Sequence, residues 1–191
     1  DKVHRNNRLI AMDVEKLTTY VDKGGTITEE LINEMVPNFG EGDFFEATDA
    51  FFSGQLEWTL EALNRHFFTQ TEARPLLGSL QSRNRLMIQL RILKDSGELG
   101  AGYQRISQND LFRISGKFCE HFDEDSPKSN LNVFTQNPYY LGRLLKDVTH
   151  FTLKNLIDFQ IAFAETFEAI AENPKDQVTI FNQLAIRCLG D

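Results

Sequence analysis

The sequence predicts an all-α fold, and three observations support this class. Apolar residues recur at spacings of three and four in almost every segment, which is the period of an amphipathic helix. No stretch shows the strict alternation of apolar and polar residues that is typical of a half-buried strand. Proline, glycine and capping residues divide the chain into segments near the ordinary helix length of about 11 residues, so we expect about seven to nine helices in a bundle.

The composition excludes several classes of protein. The 191 residues carry a net charge of −8, which argues against a protein that coats DNA, because such binding needs many lysines and arginines. Two cysteines, Cys119 and Cys188, are too few for a disulfide framework and predict a cytoplasmic protein. No apolar stretch reaches the ~18 residues of a membrane helix. Sixteen phenylalanines predict a core built largely on Phe and Leu.

Residues 1–37 are predicted to form a small unit of two helices. The first helix has one apolar stripe, formed by Ile10, Val14, Leu17 and Val21. Thr28 is the expected N-cap of the second helix, which ends before Pro37 because the residue before proline disfavours the helical conformation. Residues 38–43, rich in glycine, are the predicted linker and hinge. Since the chain lacks an initiating methionine and enters a helix almost at once, we expect a piece of a longer protein.

Residues 44–191 are predicted to form the bundle itself. It begins with a helical hairpin that turns at Gly54, and a long helix follows from about Glu72 to Lys94. The apolar rows of the hairpin's first helix are Phe44, Thr48 and Phe51, and Phe45, Asp49 and Phe52. Four later helix starts are indicated by Ser107 with Asp110, by Asn137 before Pro138, by Thr152, and by Asn173 before Pro174.

Three short motifs resemble functional signatures but fail on their context. Ser115–Lys117 lacks the preceding glycine of a P-loop and lies within a helix. Gly97–Gly102 is glycine-rich but follows a helix, whereas a dinucleotide-binding turn follows a strand. His121–Asp125 groups one imidazole with three carboxylates, which a polar helix end followed by a loop explains better than a metal site. We therefore expect no catalytic residue, no cofactor and no metal ligand.

Three arginines lie within the apolar run of the long helix: Arg83, Arg85 and Arg91. Arg83, Met87 and Arg91 share one helical face, and Arg85 flanks another. A solvated face, a contact surface for neighbouring subunits and a phosphate-binding face all remain open. Long arginine stems also cover apolar surface while their heads reach carboxylates. We treat Arg83, Arg85 and Arg91 as possible subunit-interface residues.

Several patches of sequence, taken in order, resemble one known family. They are "NNRLIAMDVEKLTTYVDKGGTITEELINEMVP", "FFEATDAFFSGQLEWTLEALNRHF", "PLLGSLQSRNRLMIQLRIL" and "NPYYLGRLLKDVTHFTLKNLIDFQIAFAETFEAI". The first resembles the end of the small helical lid of an AAA+ module. The others resemble the opening hairpin, the long helix and the later helices of the collar domain in the delta subunit of DNA polymerase III. This subunit belongs to the clamp loader, and the resemblance covers nearly the whole chain.

The resemblance implies a role in DNA replication without catalysis by this region. Clamp loaders are AAA+ assemblies of five subunits that open a sliding clamp and place it on primed DNA. Residues 1–37 would be the end of the lid, and residues 44–191 the collar through which the subunits associate. The implied partners are the other clamp-loader subunits, the sliding clamp through an N-terminal domain outside this sequence, and DNA indirectly. The family belongs to the DNA polymerase III holoenzyme, a nucleotidyltransferase.

Two other functions remain open at this point. The basic face from Arg83 to Arg91 would suit a helical domain that binds nucleic acid, with affinity that falls steeply as salt rises. Alternatively, the chain would be the collar of a clamp-loader paralogue that itself binds ATP through an upstream P-loop. An unrelated helical enzyme is disfavoured, because no set of titratable residues points to a reaction.

Overall fold

The computed structural model describes residues 10–11, 14–15, 17–21, 26–28, 31–32, 42–70, 72–99, 106–118 and 129–190. The chain divides into two compact units, Asp1–Glu41 and Gly42–Asp191. Helices supply the regular structure of both units, and no strand occurs among the residues just given. The prediction of an all-α fold is therefore confirmed.

The second unit is a bundle of α-helices, numbered here in chain order. They are α1 (Gly42–Phe52), α2 (Leu56–Thr69), α3 (Arg74–Asp95), α4 (Gln108–Phe118), α5 (Pro138–Val148), α6 (Leu153–Glu172) and α7 (Gln177–Leu189). A 3-10 turn, Val133–Thr135, precedes α5. Because α1 begins at Gly42, the bundle starts two residues before the predicted boundary at 44. Residues 38–41 of the predicted linker lie outside the described residues.

The first unit keeps its predicted cap but not its predicted stripe. The backbone N–H of Leu31 donates to the Thr28 hydroxyl at 3.3 Å, so Thr28 caps the second helix as expected. Leu17 is buried, whereas Ile10 and Val14 are exposed. The apolar period therefore predicted the helix, but within this unit it did not predict which of its residues are buried.

Helices α1 and α2 form the predicted hairpin, and glycine makes its turn. Gly54 has a φ of +78°, a left-handed conformation that costs any residue with a Cβ. The hairpin buries Phe51 and Phe52 almost completely, yet Phe45 of the same helix is 69% exposed. Of the second predicted row, Phe45, Asp49 and Phe52, the C-terminal residue Phe52 is the one that is buried in the core.

Gly54→Ala is expected to destabilise the unit by about 1–2 kcal/mol because of the left-handed backbone. Steric crowding does not contribute to this cost, since an added Cβ would lie 3.6 Å from the Phe151 ring, an ordinary van der Waals distance. Gly78→Ala, on the exposed side of α3 with open space around the new methyl group, is the matched control. It should instead stabilise the helix by about 0.5–1 kcal/mol. Urea unfolding of both variants measures the difference, and equal effects would contradict this explanation.

The long helix α3 is the centre of the bundle. It packs against α6, α5 and α1, and its buried side chains point in more than one direction. Those buried residues are Leu76, Leu77, Leu80, Asn84, Leu86, Met87, Leu90 and Leu93. Asn84 is fully buried, and its amide donates to the Leu156 carbonyl at 2.8 Å and to Gln160 Oε1 at 3.0 Å. A polar contact therefore fixes α3 against α6 within an apolar interface.

Most predicted helix starts are confirmed by their caps. Ser107 and Asp110 exchange hydrogen bonds at the start of α4, and Asn137 accepts from the backbone of Tyr139 at the start of α5. Thr152 forms a full capping box at the start of α6. The long helix α3 also has nearly its predicted extent.

One predicted start, Asn173 before Pro174, is wrong. The backbone N–H of Asn173 donates to the Ala169 carbonyl, so Asn173 ends α6 instead of opening α7. Helix α7 begins at Gln177, three residues after the proline. Gln177 also accepts a 2.9 Å hydrogen bond from the backbone of Ala73, which joins the first turn of α7 to the start of α3. This tertiary bond has no signature in the local sequence.

Candidate functional site: the arginines of the long helix

Arg83 lies at a junction of three helices and is almost covered by them. Its guanidinium donates to Asp49 Oδ1 of α1 at 2.5 Å and to Asp147 Oδ2 of α5 at 2.6 Å. The guanidinium carbon lies 5.1 Å from the centroid of the Phe52 ring, within the range of a cation–π interaction. Only 12% of the Arg83 side chain is exposed. Arg83 therefore links α3 to α1 and α5.

The two carboxylates offset the cost of burying the charged Arg83 guanidinium. Burial alone would lower the pKa of Arg83, but the hydrogen bonds and charges of Asp49 and Asp147 outweigh it and raise that pKa. Burial also raises the pKa of the nearby Tyr140 phenol, while the charges of Arg83 and Arg143 act in the opposite direction. The junction is thus a partly buried network of paired charges beside a neutral phenol.

Arg91 and Arg85 differ from Arg83 in what they contact. Arg91 bonds Asp95 on its own helix at 2.9 Å and the carbonyl of Phe151 at 2.9 Å, so it secures the turn between α5 and α6. Arg85 is half-buried, and its backbone carbonyl accepts from the side chain of Gln89. The three arginines therefore do not form one continuous basic face.

A solvated basic face, one of the three explanations left open by the sequence, is wrong for Arg83. Met87 lies between Arg83 and Arg91 on the same face and is fully buried. The stems of both arginines cover apolar surface while their heads reach acceptors inside the domain. A role for Arg83, Arg85 and Arg91 in subunit contact stays a prediction.

Sequence reasoning missed the partners of this junction. Asp49 and Asp147 lie 34 and 64 residues from Arg83 in the chain, so no local spacing connects them. Arg143 joins the same network through Asp49 Oδ2, at 3.7 Å. The one available signal was a carboxylate inside an otherwise apolar row, Asp49 between Phe45 and Phe52.

His66 is buried at the C-terminal end of α2 among aromatic rings. Its ring centroid lies 5.9 Å from that of Phe44 and 5.1 Å from that of Phe67. Burial lowers the pKa of His66 below its usual value of 6.5, because the charged imidazolium is poorly solvated there. The neutral form is therefore the one that the fold favours.

This lowered pKa predicts a loss of stability in mild acid. Below the unfolded value near 6.5, the unfolded chain binds a proton that the folded chain resists. The free energy of unfolding should therefore fall as the pH drops from 7.5 to 5.5. His66→Gln should flatten this slope, whereas His150→Gln, which removes an exposed imidazole, should keep it. Urea midpoints across this range test the prediction, and identical slopes in all three proteins would contradict it.

Two further candidates for chemistry lie among the described residues, Cys188 and the Ser115–Lys117 motif. Burial raises the pKa of the Cys188 thiol to about 12, so the weakly nucleophilic protonated form dominates at neutral pH. Cys188 lines an open cavity of about 380 Å³ together with Asp158 and Arg187. The Ser115–Lys117 motif lies within α4, as expected. His121–Asp125 lies outside the described residues.

Among the described residues, no three His, Cys, Asp or Glu residues are grouped so that they could hold a metal ion. Of the helices in the described part of the chain, none is both long enough and apolar enough to cross a membrane. When the chain was compared with protein-family models, with curated proteins and with solved structures, none of the three gave a match.

Proposed function

We propose that this chain is a non-catalytic assembly module, the collar region of a clamp-loader delta subunit, preceded by the end of an AAA+ lid. The proposal starts from the resemblance of the ordered sequence patches to that family. In this role the bundle holds the other clamp-loader subunits while the assembly loads the sliding clamp during replication. The module itself supplies binding surfaces and no bond-making chemistry.

One structural observation supports this role most strongly. The unit Gly42–Asp191 has its own core, with Phe51, Phe52 and Phe163 at most 1% exposed. The same unit leaves Phe112 80% exposed and Tyr139 79% exposed. Because aromatic residues are enriched at protein interfaces, these exposed side chains are suited to contact partners.

The arginine contacts support assembly over nucleic-acid binding. Arg83 and Arg91 each form two polar contacts inside the chain, and their side chains are only 12% and 23% exposed, so neither guanidinium is presented openly to phosphates. The net charge of −8 also opposes binding to a polyanion. Arg85 remains the least constrained of the three.

Reconstitution tests the proposal directly. The full-length protein is mixed with the other clamp-loader subunits of its own organism, and the mixture is resolved by size exclusion with light scattering. We expect one complex that contains all the subunits, with this protein present. Separate elution of the full-length protein with and without ATP would refute the proposal. Binding of primed DNA by the protein alone, with a steep salt dependence, would favour the nucleic-acid alternative instead.

A further inference from the structure

We propose that the surface formed by Phe45, Asp49, Tyr139, Tyr140 and Arg143 docks on an acidic, apolar segment of a neighbouring clamp-loader subunit. We call it the aromatic–arginine surface. This inference rests on the proposed function and deepens it, because it assigns the contact to one face of the bundle and states the chemistry of the partner. None of these residues was among the interface candidates in the sequence.

The ion pairs of the Arg83 junction bring the two helices of this surface together. Asp49 of α1 contacts Arg143 of α5 directly at 3.7 Å and is linked to Asp147 of α5 through Arg83. Further along, Gly54 lies close to the Phe151 ring. Gly54 and Phe151 lie two and three residues beyond the C-terminal ends of α1 and α5, so these two ends lie near each other and the two helices run in roughly the same direction.

Because of this common direction, Phe45 and Tyr139 lie on the same side of the ion pairs that join Asp49 to Arg83 and Arg143. Phe45 lies one turn before Asp49 on α1, and Tyr139 lies one turn before Arg143 on α5. Tyr140 is close enough to the network for the charges of Arg83, Arg143 and Asp49 to shift the pKa of its phenol. The aromatic residues therefore belong to the same surface as the Asp49–Arg143 pair.

This surface exposes three aromatic side chains and one arginine. Phe45 is 69% exposed and Tyr139 is 79% exposed, while Tyr140 is 37% exposed. Arg143 is 61% exposed. Tyrosine and arginine are the residues that most often dominate the binding energy of protein interfaces, and aromatic residues are enriched at their centres. These exposed side chains are therefore available to anchor a partner, because no helix or loop in the described part of the chain covers them.

The charges of the surface indicate an acidic partner. Asp49 Oδ1 is already held by Arg83 at 2.5 Å, whereas Arg143 lies 3.7 Å from the other oxygen, beyond hydrogen-bond distance. The acid that α5 itself contributes, Asp147, bonds to Arg83. Lys146, one turn after Arg143, is exposed. A carboxylate from a partner would complete the donors of Arg143 and meet a locally positive helix.

A protein partner fits this surface better than nucleic acid does. Only two exposed cations, Arg143 and Lys146, lie on this face of α5, and two phosphate contacts give weak binding at physiological salt. The phenylalanine at its edge, Phe45, adds apolar area that a protein segment would bury. Nucleic acid is therefore an outcome for the test and not the occupant that we propose.

Paired variants of the full-length protein test the inference within the reconstituted complex. Tyr139→Ala with Arg143→Ala removes the two most exposed anchors of α5. Phe167→Ala with Arg74→Ala is the matched control, since it also removes an exposed aromatic and a neighbouring arginine, whose guanidinium carbon lies 5.8 Å from the ring centroid. Binding of each variant to the remaining subunits is measured by interferometry at two salt concentrations. Urea midpoints show that both variants keep the fold.

The expected results separate this inference from the proposed function. The surface variant should bind at least about tenfold more weakly than wild type, with a smaller salt dependence, and the control should bind like wild type. If wild type assembles and both variants assemble equally well, or equally poorly, the aromatic–arginine surface is not the docking site. If wild type does not assemble at all, the proposed function itself fails. Single-stranded DNA binding that depends on Tyr139 and Arg143, with assembly intact, would also overturn the inference.

Discussion

Replacing Phe163 by alanine is expected to lower the free energy of unfolding by about 4 kcal/mol, the largest single effect predicted for this protein. Phe163 is fully buried on α6, and its ring packs at 5.5 Å from that of Phe51 on α1. The same cluster includes Phe159, whose ring lies 5.7 Å from that of Phe51. Truncation removes buried apolar area and leaves a cavity that the surrounding rings fill only in part. Urea unfolding followed by far-UV circular dichroism measures the loss.

Phe167→Ala provides the control on the same helix. Phe167 lies one turn after Phe163 and is 48% exposed, and Arg74 stacks over its ring at 5.8 Å. Because about half of this side chain stays exposed to water, the substitution should cost only about 1 kcal/mol. A cost for Phe167→Ala that equals the cost for Phe163→Ala would mean that this burial pattern is wrong.

Arg83→Ala should have the second-largest effect, a loss of about 2 kcal/mol. The substitution leaves Asp49 and Asp147 without their shared cation and exposes the face of Phe52. The cost falls below the ~3–5 kcal/mol of breaking a fully buried pair, because both carboxylates keep some contact with water. Denaturant unfolding at neutral pH measures it.

Two further variants test the cause of this loss. Arg143→Ala removes a mostly exposed partner of the same Asp49 and should cost no more than about 0.5 kcal/mol. Combining Arg83→Ala with Asp49→Asn and Asp147→Asn should recover part of the lost stability, because the stranded charges are removed as well. If the triple variant is less stable than Arg83→Ala alone, unpaired charge is not the cause.

Local sequence predicted the helices of the bundle because the signals that start and end helices are local. Thr152 meets its partner Asn155 three residues away, and Asn137 meets the backbone two residues away. Gly54 needs only its own backbone conformation. Such features are fixed by neighbours in the chain, so they can be read without knowing the fold. Asn173 shows the limit, because the same residue types also end helices.

The candidate site was far less predictable because tertiary contacts define it. The arginines of α3 were recognised as unusual, but their environment depends on which helices pack beside them. Met87 was placed on the basic face and is in fact buried, since α3 is surrounded by helices on several sides. Phe45 was grouped with the apolar rows and is exposed. A helical period gives the faces of a helix but not the number of faces that neighbours cover.

The buried amide of Asn84 has a consequence for how the bundle moves. Its two acceptors, the Leu156 carbonyl and Gln160 Oε1, lie about one turn apart on α6. If α3 slid along α6 by one helical turn, about 5.4 Å, these bonds would be lost and an unsolvated amide would remain, at a cost of roughly 1–3 kcal/mol. Leucine side chains alone would tolerate such slippage far better. The Asn84 contacts therefore favour one register of α3 against α6 over the registers one helical turn away.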